Sequence, residues 1–367
     1  MESLFDIIEE TIDNKSEVLK TSEVMEFLGI SKHKLNSLIK KGSIKVYKNN
    51  KNRNEFDKDE IERFKKEHGK DLEPKVDPRN TMNELTGKEW LPETKSFWYQ
   101  KGLGANHPHA QIERQHPAPF SFQDVERLVS FFTKKGGKVL DPFSGTGSTI
   151  KACAVSERIG IGIELSKHWY ELSKQRIEYE VGEGESQKHI FINQDCRKAL
   201  DNMEKDSIDL IVTSPPYWSI LNKKIDQKTK KRAEEGLAIN YSDDDKDLGN
   251  IDDYKEFLEE LKNIFVKGAR VLKTNKYMCI IVSDFRNESE FISFHSDIIQ
   301  MLNKLDVDNK HILMLQGVKA LLQNHKSLLP YGYPFSYVEN IHHQYILIFK
   351  KQVKKVSKKN KVKEITE

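Results

Sequence analysis

Two short apolar runs that end in turns constrain this chain more than any other feature of it. Lys138-Val139-Leu140-Asp141 breaks into Pro142-Phe143-Ser144-Gly145-Thr146-Gly147, and Ile208-Asp209-Leu210-Ile211-Val212-Thr213 breaks into Ser214-Pro215-Pro216-Tyr217-Trp218. Apolar runs of this length, bounded by turn residues, are the pattern of strands buried on both faces, as parallel strands are. In open α/β sheets ligands sit outside the carboxyl ends of the strands, so the two loops predict one shared crevice. Between them strand, turn, helix and acid recur in order. Residues 149–157 read as a helix, Ile159 to Glu164 as a second strand ending in an acid, residues 168–179 as a helix, and His189 to Cys196 as a third strand. That alternation predicts an α/β fold with a doubly wound, mostly parallel sheet. An acid about 20 residues past such glycines is placed to accept ribose hydroxyls, which makes Glu164 a candidate. The alternative for Glu164 is a surface acid at a strand end. A phosphate-binding P-loop is excluded, because no Gly-Lys-Ser/Thr follows the glycines.

The same residues carry a resemblance. Asp141 to Gly147 is similar to the S-adenosylmethionine loop of amino-methylating DNA methyltransferases, the N4-cytosine and N6-adenine family, and Ser214-Pro215-Pro216-Tyr217 resembles their catalytic tetrapeptide. The likeness extends over roughly residues 115–350 and includes Tyr333-Pro334-Phe335 and His343-Gln344-Tyr345-Ile346-Leu347-Ile348-Phe349. It implies a seven-stranded Rossmann-like sheet, completed by strands at 277–282, 311–315 and 344–349 after an amphipathic helix over 251–271. It also implies S-adenosylmethionine as cofactor, held by Asp141, Phe143, Gly145, Gly147, Thr149, Glu164 and Asp195. In that family Asp141, directly or through a water, orients the methionine ammonium; Gly145 and Gly147 let backbone approach, Glu164 takes the ribose, and Asp195 faces the adenine amino group. The helix over 122–132, apolar at Val125, Leu128, Val129 and Phe132, would line the methionine end, although a plain core helix fits its pattern equally.

The tetrapeptide suits one kind of chemistry. An exocyclic amine on a base is a poor nucleophile, because its lone pair is delocalised into the ring. Ser214 Oγ and the carbonyl of Pro215 can accept its hydrogens and restore lone-pair character, while Pro215 and Pro216 stiffen the loop. Tyr217 can stack on a base extruded from the duplex, with Trp218 beside it against DNA. No metal and no covalent nucleophile is required. Serine at the first tetrapeptide position is commoner in the N4-cytosine enzymes, so the resemblance implies site-specific methylation of cytosine N4 in double-stranded DNA. It also implies a restriction-modification or related setting, with a cognate restriction endonuclease as the further partner. N6-adenine methylation is the alternative, followed by RNA base methylation and a catalytically dead DNA-binding regulator. Two features depart from the family: the tetrapeptide follows the glycine loop instead of preceding it, and no large target-recognition domain is visible.

The 367 residues suffice for about two domains. With 37% hydrophobic and 32% charged residues, the composition fits a solvated globular protein, and no run approaches the ~18 apolar residues of a membrane span. With no secretory pattern at Met1 to Asp6, a cytoplasmic location is expected. Cys153, Cys196 and Cys279 show no metal-ligand spacing and read as buried thiols. Residues 1–70 resemble the winged helix-turn-helix domains of the excisionase and MerR type. Ser22 would cap a helix through Leu28 and Ser31 a second one bearing Leu35, Leu38 and Ile39. A wing at 44–47 and 55–56 and a closing helix over 57–68 would follow. This would set Lys32, His33, Lys34, Asn36 and Ser37 at a major groove and Lys48, Lys51 and Arg53 near phosphates. A helical protein-interaction module is the alternative. Residues 71–80 read as a linker and 81–350 as the methyltransferase domain. Within that domain Trp90, Phe97, Trp98 and Tyr99 read as an edge packed on the core, or else as a DNA-stacking segment. Residues 219–250 form an insertion, read as a lid or DNA-facing segment, and 351–367 form a basic tail. From 350 to 363 there are eight lysines and no acid.

Overall fold

The structure, a computed structural model, describes residues 17–72, 75–100, 107–108, 112–116, 120–219, 244, 246–324 and 326–354. The chain divides after Asp77 into two units. In the first, strand β1 (Val18–Lys20) leads into helices α1 (Thr21–Leu28) and α2 (Lys32–Lys40), then β2 (Tyr47–Lys48), β3 (Asn54–Asp57) and α3 (Lys58–Leu72). The three strands form an antiparallel sheet with β3 in the middle. Glu23, not Ser22, closes the start of α1, its carboxylate accepting the Lys20 N–H at 2.7 Å. Ser31 Oγ accepts from the Lys34 N–H at 3.2 Å and caps α2 as expected. Val24, Leu28, Leu35, Ile44, Phe56 and Ile61 make a separate small core. Ile44 is therefore a core residue and not part of a wing strand, and α3 runs to Leu72, into the stretch read as linker.

The second unit begins with α4 (Gly87–Glu93), β4 (Phe97–Tyr99), α5 (Phe122–Phe132), β5 (Lys138–Asp141), α6 (Ser148–Val155), β6 (Ile159–Glu164), α7 (Lys167–Glu180) and β7 (Ile190–Asn193). Next come α8 (Cys196–Asp201), β8 (Ile208–Thr213), α9 (Tyr254–Val271), β9 (Leu272–Val282), the short β10 (Phe285–Asn287) and β11 (Glu290–Ile292), α10 (Phe294–Leu302), β12 (His311–Leu322) and β13 (His343–Val353). One sheet runs β4-β12-β13-β9-β8-β5-β6-β7, eight strands among the described residues where seven were expected. The additional strand is β4, parallel to the end of β12. Within it Trp98 turns inward, 4% exposed, while Phe97 and Tyr99 face out, the alternation of an edge strand. The Trp98 ring lies under the Arg127 guanidinium at 3.8 Å and near the Lys319 ammonium at 4.5 Å, so its aromatic surface is covered by protein. The β9-β8-β5-β6-β7 stretch is parallel throughout, and β13 is antiparallel to both its neighbours.

Successive residues of each buried strand feed opposite cores. Val139 packs on one face with Val125, Leu128 and Val129 of α5, and Leu140 on the other with Leu261, Ile264 and Phe265 of α9. This two-sided burial is why β5 and β8 read as continuous apolar runs. Strand β13 continues through Val353, and Lys351, placed in the basic tail by its composition, is fully buried, its ammonium 2.8 Å from Asp206 and 2.7 Å from the Leu272 carbonyl. Residues 355–367 of that tail lie outside the described residues.

Candidate active site

From β5 the chain proceeds to β6 and β7 on one side, then returns to place β8 and β9 on the other. The strand order therefore reverses between β5 and β8, the switch point at which open sheets leave a crevice beyond their carboxyl ends. The glycine loop leaves β5 there and the tetrapeptide leaves β8. A pocket with about 910 Å³ of empty space, counting its solvent-filled mouth, lies between them. Of the residues singled out by sequence, Phe143, Gly145, Glu164, Asp195, Ser214, Pro215, Pro216 and Tyr217 line it.

Asp141, Gly147 and Thr149 stand behind the pocket wall. Asp141 is fully buried. Its Oδ1 accepts from the Thr213 hydroxyl at 2.6 Å and the Phe143 N–H at 3.0 Å, and its Oδ2 accepts from the Thr149 hydroxyl at 2.6 Å. Asp141 thus has both its oxygens engaged by protein donors. It ties the glycine loop and α6 to the residue preceding Ser214, and so fixes the two motifs to each other. Burial pushes its carboxyl up to about 6, against the three hydrogen bonds. Gly145 and Gly147 both have positive φ, +50° and +75°, which lets the loop turn tightly into α6.

Glu164 ends β6 with Oε2 on the Gly145 N–H at 2.8 Å and Oε1 on the Ser166 N–H at 2.9 Å. Burial pushes its carboxyl up to about 7, with both backbone donors opposing. Burial also raises the Asp195 carboxyl, but Arg197 outweighs it and holds the group below the usual carboxylate range. The Arg197 fork lies 2.8–3.0 Å from both Asp195 oxygens and reaches Glu260 at 2.9 Å. At the tetrapeptide, Tyr217 sits 6.0 Å from Phe294 and 6.5 Å from Phe285 between ring centroids, and its hydroxyl accepts from Gln344 Nε2 at 3.3 Å. Burial raises the pKa of that hydroxyl, with the nearby polar groups of Ser214, Gln344 and Ser283 opposing.

Trp218 does not stand at a DNA surface. It is 6% exposed and its ring packs 5.1 Å from Tyr254 in the core, because the turn at its positive φ of 45° swings the indole inward. Lys32, Lys34, Asn36, Lys51 and Arg53 are all exposed on the first unit, with Leu35 buried beneath α2. The insertion reading of 219–250 falls mostly outside the described residues, although Leu248 reaches the pocket lining. Sequence reasoning assigned no role to His116, Phe120, Trp169 or Arg197, which also line the pocket. They come from loops and helix faces with no motif, and the sequence signal for them was a histidine and aromatics near the glycine loop.

A family model described as a DNA methylase, of the N6/N4 methyltransferases, matches residues 5–175 and 208–367. The chain belongs to this family. The match includes the glycine loop and the tetrapeptide and omits the stretch with Asp195. Among curated relatives, the Type II methyltransferase M.MjaI of Methanocaldococcus jannaschii is 32% identical over 114 residues, 31% of this chain and 36% of that one. The Type II methyltransferase M.BglI of Bacillus subtilis is 32% identical over 97 residues, 26% of each chain. The matched stretches thus span about a third and a quarter of those relatives' lengths. Among solved structures, TrmN from Thermus thermophilus aligns at 12% identity and a TM-score of 0.39, covering 66% of this chain and 52% of that one. S-adenosylmethionine is the cofactor of the N6/N4 family, and the pocket fits it. Glu164 offers a carboxylate for a ribose diol, and Phe143, Phe120 and Trp169 supply apolar walls.

Proposed function

We propose that this chain transfers the methyl group of S-adenosylmethionine to the exocyclic N4 of cytosine in double-stranded DNA, as the modification activity of a restriction-modification or related system. The observation that carries the reading is the Asp141 junction, which sets the glycine loop and Ser214-Pro215-Pro216-Tyr217 on one pocket. When bound, the cofactor supplies a methyl group already activated on a sulfonium, so the protein's work is alignment and charge stabilisation. Glu164 would hold the ribose and Phe143 the adenine. Asp195, engaged by Arg197, would offer its remaining acceptor capacity to the adenine amine. On the other side Ser214 Oγ and the Pro215 carbonyl would accept the amine hydrogens, and the ring of Tyr217 would face the extruded base. As the amine nitrogen gains a methyl group it sheds one proton to water.

Serine at the head of the tetrapeptide supports N4 of cytosine. For the DNA partner, support comes from the exposed Lys32 and Lys34 on α2 and from the bare rings of Tyr333, Phe335 and Tyr337 between β12 and β13. Incubation with labelled cofactor and unmethylated duplex DNA, followed by nucleoside analysis, tests the proposal. N4-methylcytosine is expected. N6-methyladenine would keep the mechanism and overturn the base, and label in RNA alone would overturn the substrate.

A further inference from the structure

Strand ends from opposite parts of the sequence bring three glutamines together at the carboxyl side of the sheet. Gln100 follows β4, Gln323 follows β12, and Gln344 lies at the start of the antiparallel β13, so all three emerge at the end that carries Ser214. They form a continuous path. Gln100 Nε2 donates to Asp124 Oδ2 at 2.9 Å, Gln323 Nε2 donates to Gln100 Oε1 at 2.9 Å and to Gln344 Oε1 at 3.2 Å, and Gln344 Nε2 donates to the Tyr217 hydroxyl at 3.3 Å.

The path has a direction. Burial raises the Asp124 carboxyl, with Gln100 and Arg127 opposing; in its ionised form it only accepts, which obliges Gln100 to present its NH₂ and turn its oxygen to Gln323. Gln323 then faces two acceptor oxygens and must offer nitrogen to both. Its own Oε1 is left buried with no partner among the described residues. A buried acceptor without a donor is costly, which marks this orientation as imposed and not relaxed. Gln344 in turn gives its nitrogen to Tyr217. The phenol oxygen accepts from Gln344, so its single hydrogen is turned away from Gln344.

We infer that Asp124, Gln100, Gln323 and Gln344 are positioning residues: a directed hydrogen-bond chain that holds the Tyr217 hydroxyl as an acceptor and so fixes the direction of that hydroxyl and the set of its ring in the pocket it shares with Ser214. The part of this that concerns transfer rate rests on the methyltransferase reading above, whereas the direction of the Tyr217 hydroxyl does not.

Two measurements test it. In protein labelled with carbon-13 at the tyrosine ζ position, the Tyr217 resonance is assigned by Tyr217→Phe. Asp124→Asn, isosteric but no longer acceptor-only, is expected to move that resonance from three amides away. A resonance that stays put overturns the chain. Single-turnover methyl transfer by Asp124→Asn, Gln344→Leu and the double variant is then compared, with cofactor affinity measured by calorimetry. Each single variant should slow transfer on the order of tenfold at parental cofactor affinity. The double variant should be no slower than Gln344→Leu, since both cut one path. Losses that multiply, or rates that do not change, overturn the inference. Wild-type protein that methylates no nucleic acid sinks the proposed function, and the Tyr217 resonance then decides the chain by itself.

Discussion

On the β5 and β6 side of the crevice the polar groups are carboxylates, Asp141, Glu164 and Asp195, each clasped by backbone donors, hydroxyls or an arginine. On the β8, β9 and β13 side they are neutral: Ser214, Tyr217 and Gln344. The first side presents Glu164 and Asp195 to the pocket, with Asp141 behind them, and suits a cationic ligand; burial pushes the Asp141 carboxyl up to about 6 and that of Glu164 up to about 7. The second is built to orient hydrogens, which does not require net charge. Cofactor retention should therefore depend on pH where base orientation does not, and the Asp141 bridge is where the two sides become one site.

Breaking the bridge should have the largest effect. Asp141→Ala leaves the Thr149 and Thr213 hydroxyls and the Phe143 N–H without their acceptor, a loss of about 2–4 kcal/mol. Thermal unfolding should register it, and cofactor binding and methyl transfer should fall together. A variant that binds cofactor normally would show that the two sides are independent.

Ser214→Ala should separate the two sides, slowing single-turnover transfer on the order of 100-fold while calorimetry finds cofactor affinity near the parental value. Lost binding would instead make Ser214 a structural residue of the cofactor side.

Glu164 sharpens the contrast through pH. Burial raises its carboxyl from 4.5 to about 7, so the folded state holds the proton more tightly than the unfolded chain does. The associated stability is full below the ordinary value and is lost as pH rises through about 7. A ribose diol donates to the ionised form, so cofactor affinity should move the other way, rising up to about tenfold per pH unit below that value and levelling above it. Glu164→Gln should flatten both curves in parallel titration and melting series. A parental curve already flat would refute the assignment.

The smallest effect belongs to the first unit. Lys32→Ala with Lys34→Ala should leave melting unchanged and reduce the salt dependence of DNA binding by about one unit of slope for each lysine lost. An unchanged slope would mean that α2 does not meet phosphates.

Legibility in the sequence followed the range of the interaction. The place of Glu164 on the pocket could be read because it depends on local order, a strand ending in an acid one helix after the glycines. Phe143 and the tetrapeptide could be read because each sits on the loop that its own strand delivers. Asp141 could be singled out, but not its junction: nothing in the sequence shows that Thr149 and Thr213 engage its oxygens. Trp218 was misjudged because adjacency to Tyr217 says nothing of the positive φ that turns its ring inward. Strand β4, three residues long, is too short to show a period. Gln344 carried no signal, since an isolated glutamine has no pattern and its partners Gln323 and Tyr217 stand 21 and 127 residues away.

Strand β13 follows every other described strand in sequence, yet it lies inside the sheet, between β9 and β12. During synthesis on the ribosome, the glycine loop and the tetrapeptide therefore emerge long before the slot beside β9 is filled. Until residues 343–353 clear the exit tunnel, Tyr217 lacks Gln344, and β9 and β12 each present an open edge. The nascent chain should be able to assemble the glycine-loop side of the pocket early, while the Tyr217 side waits for β13.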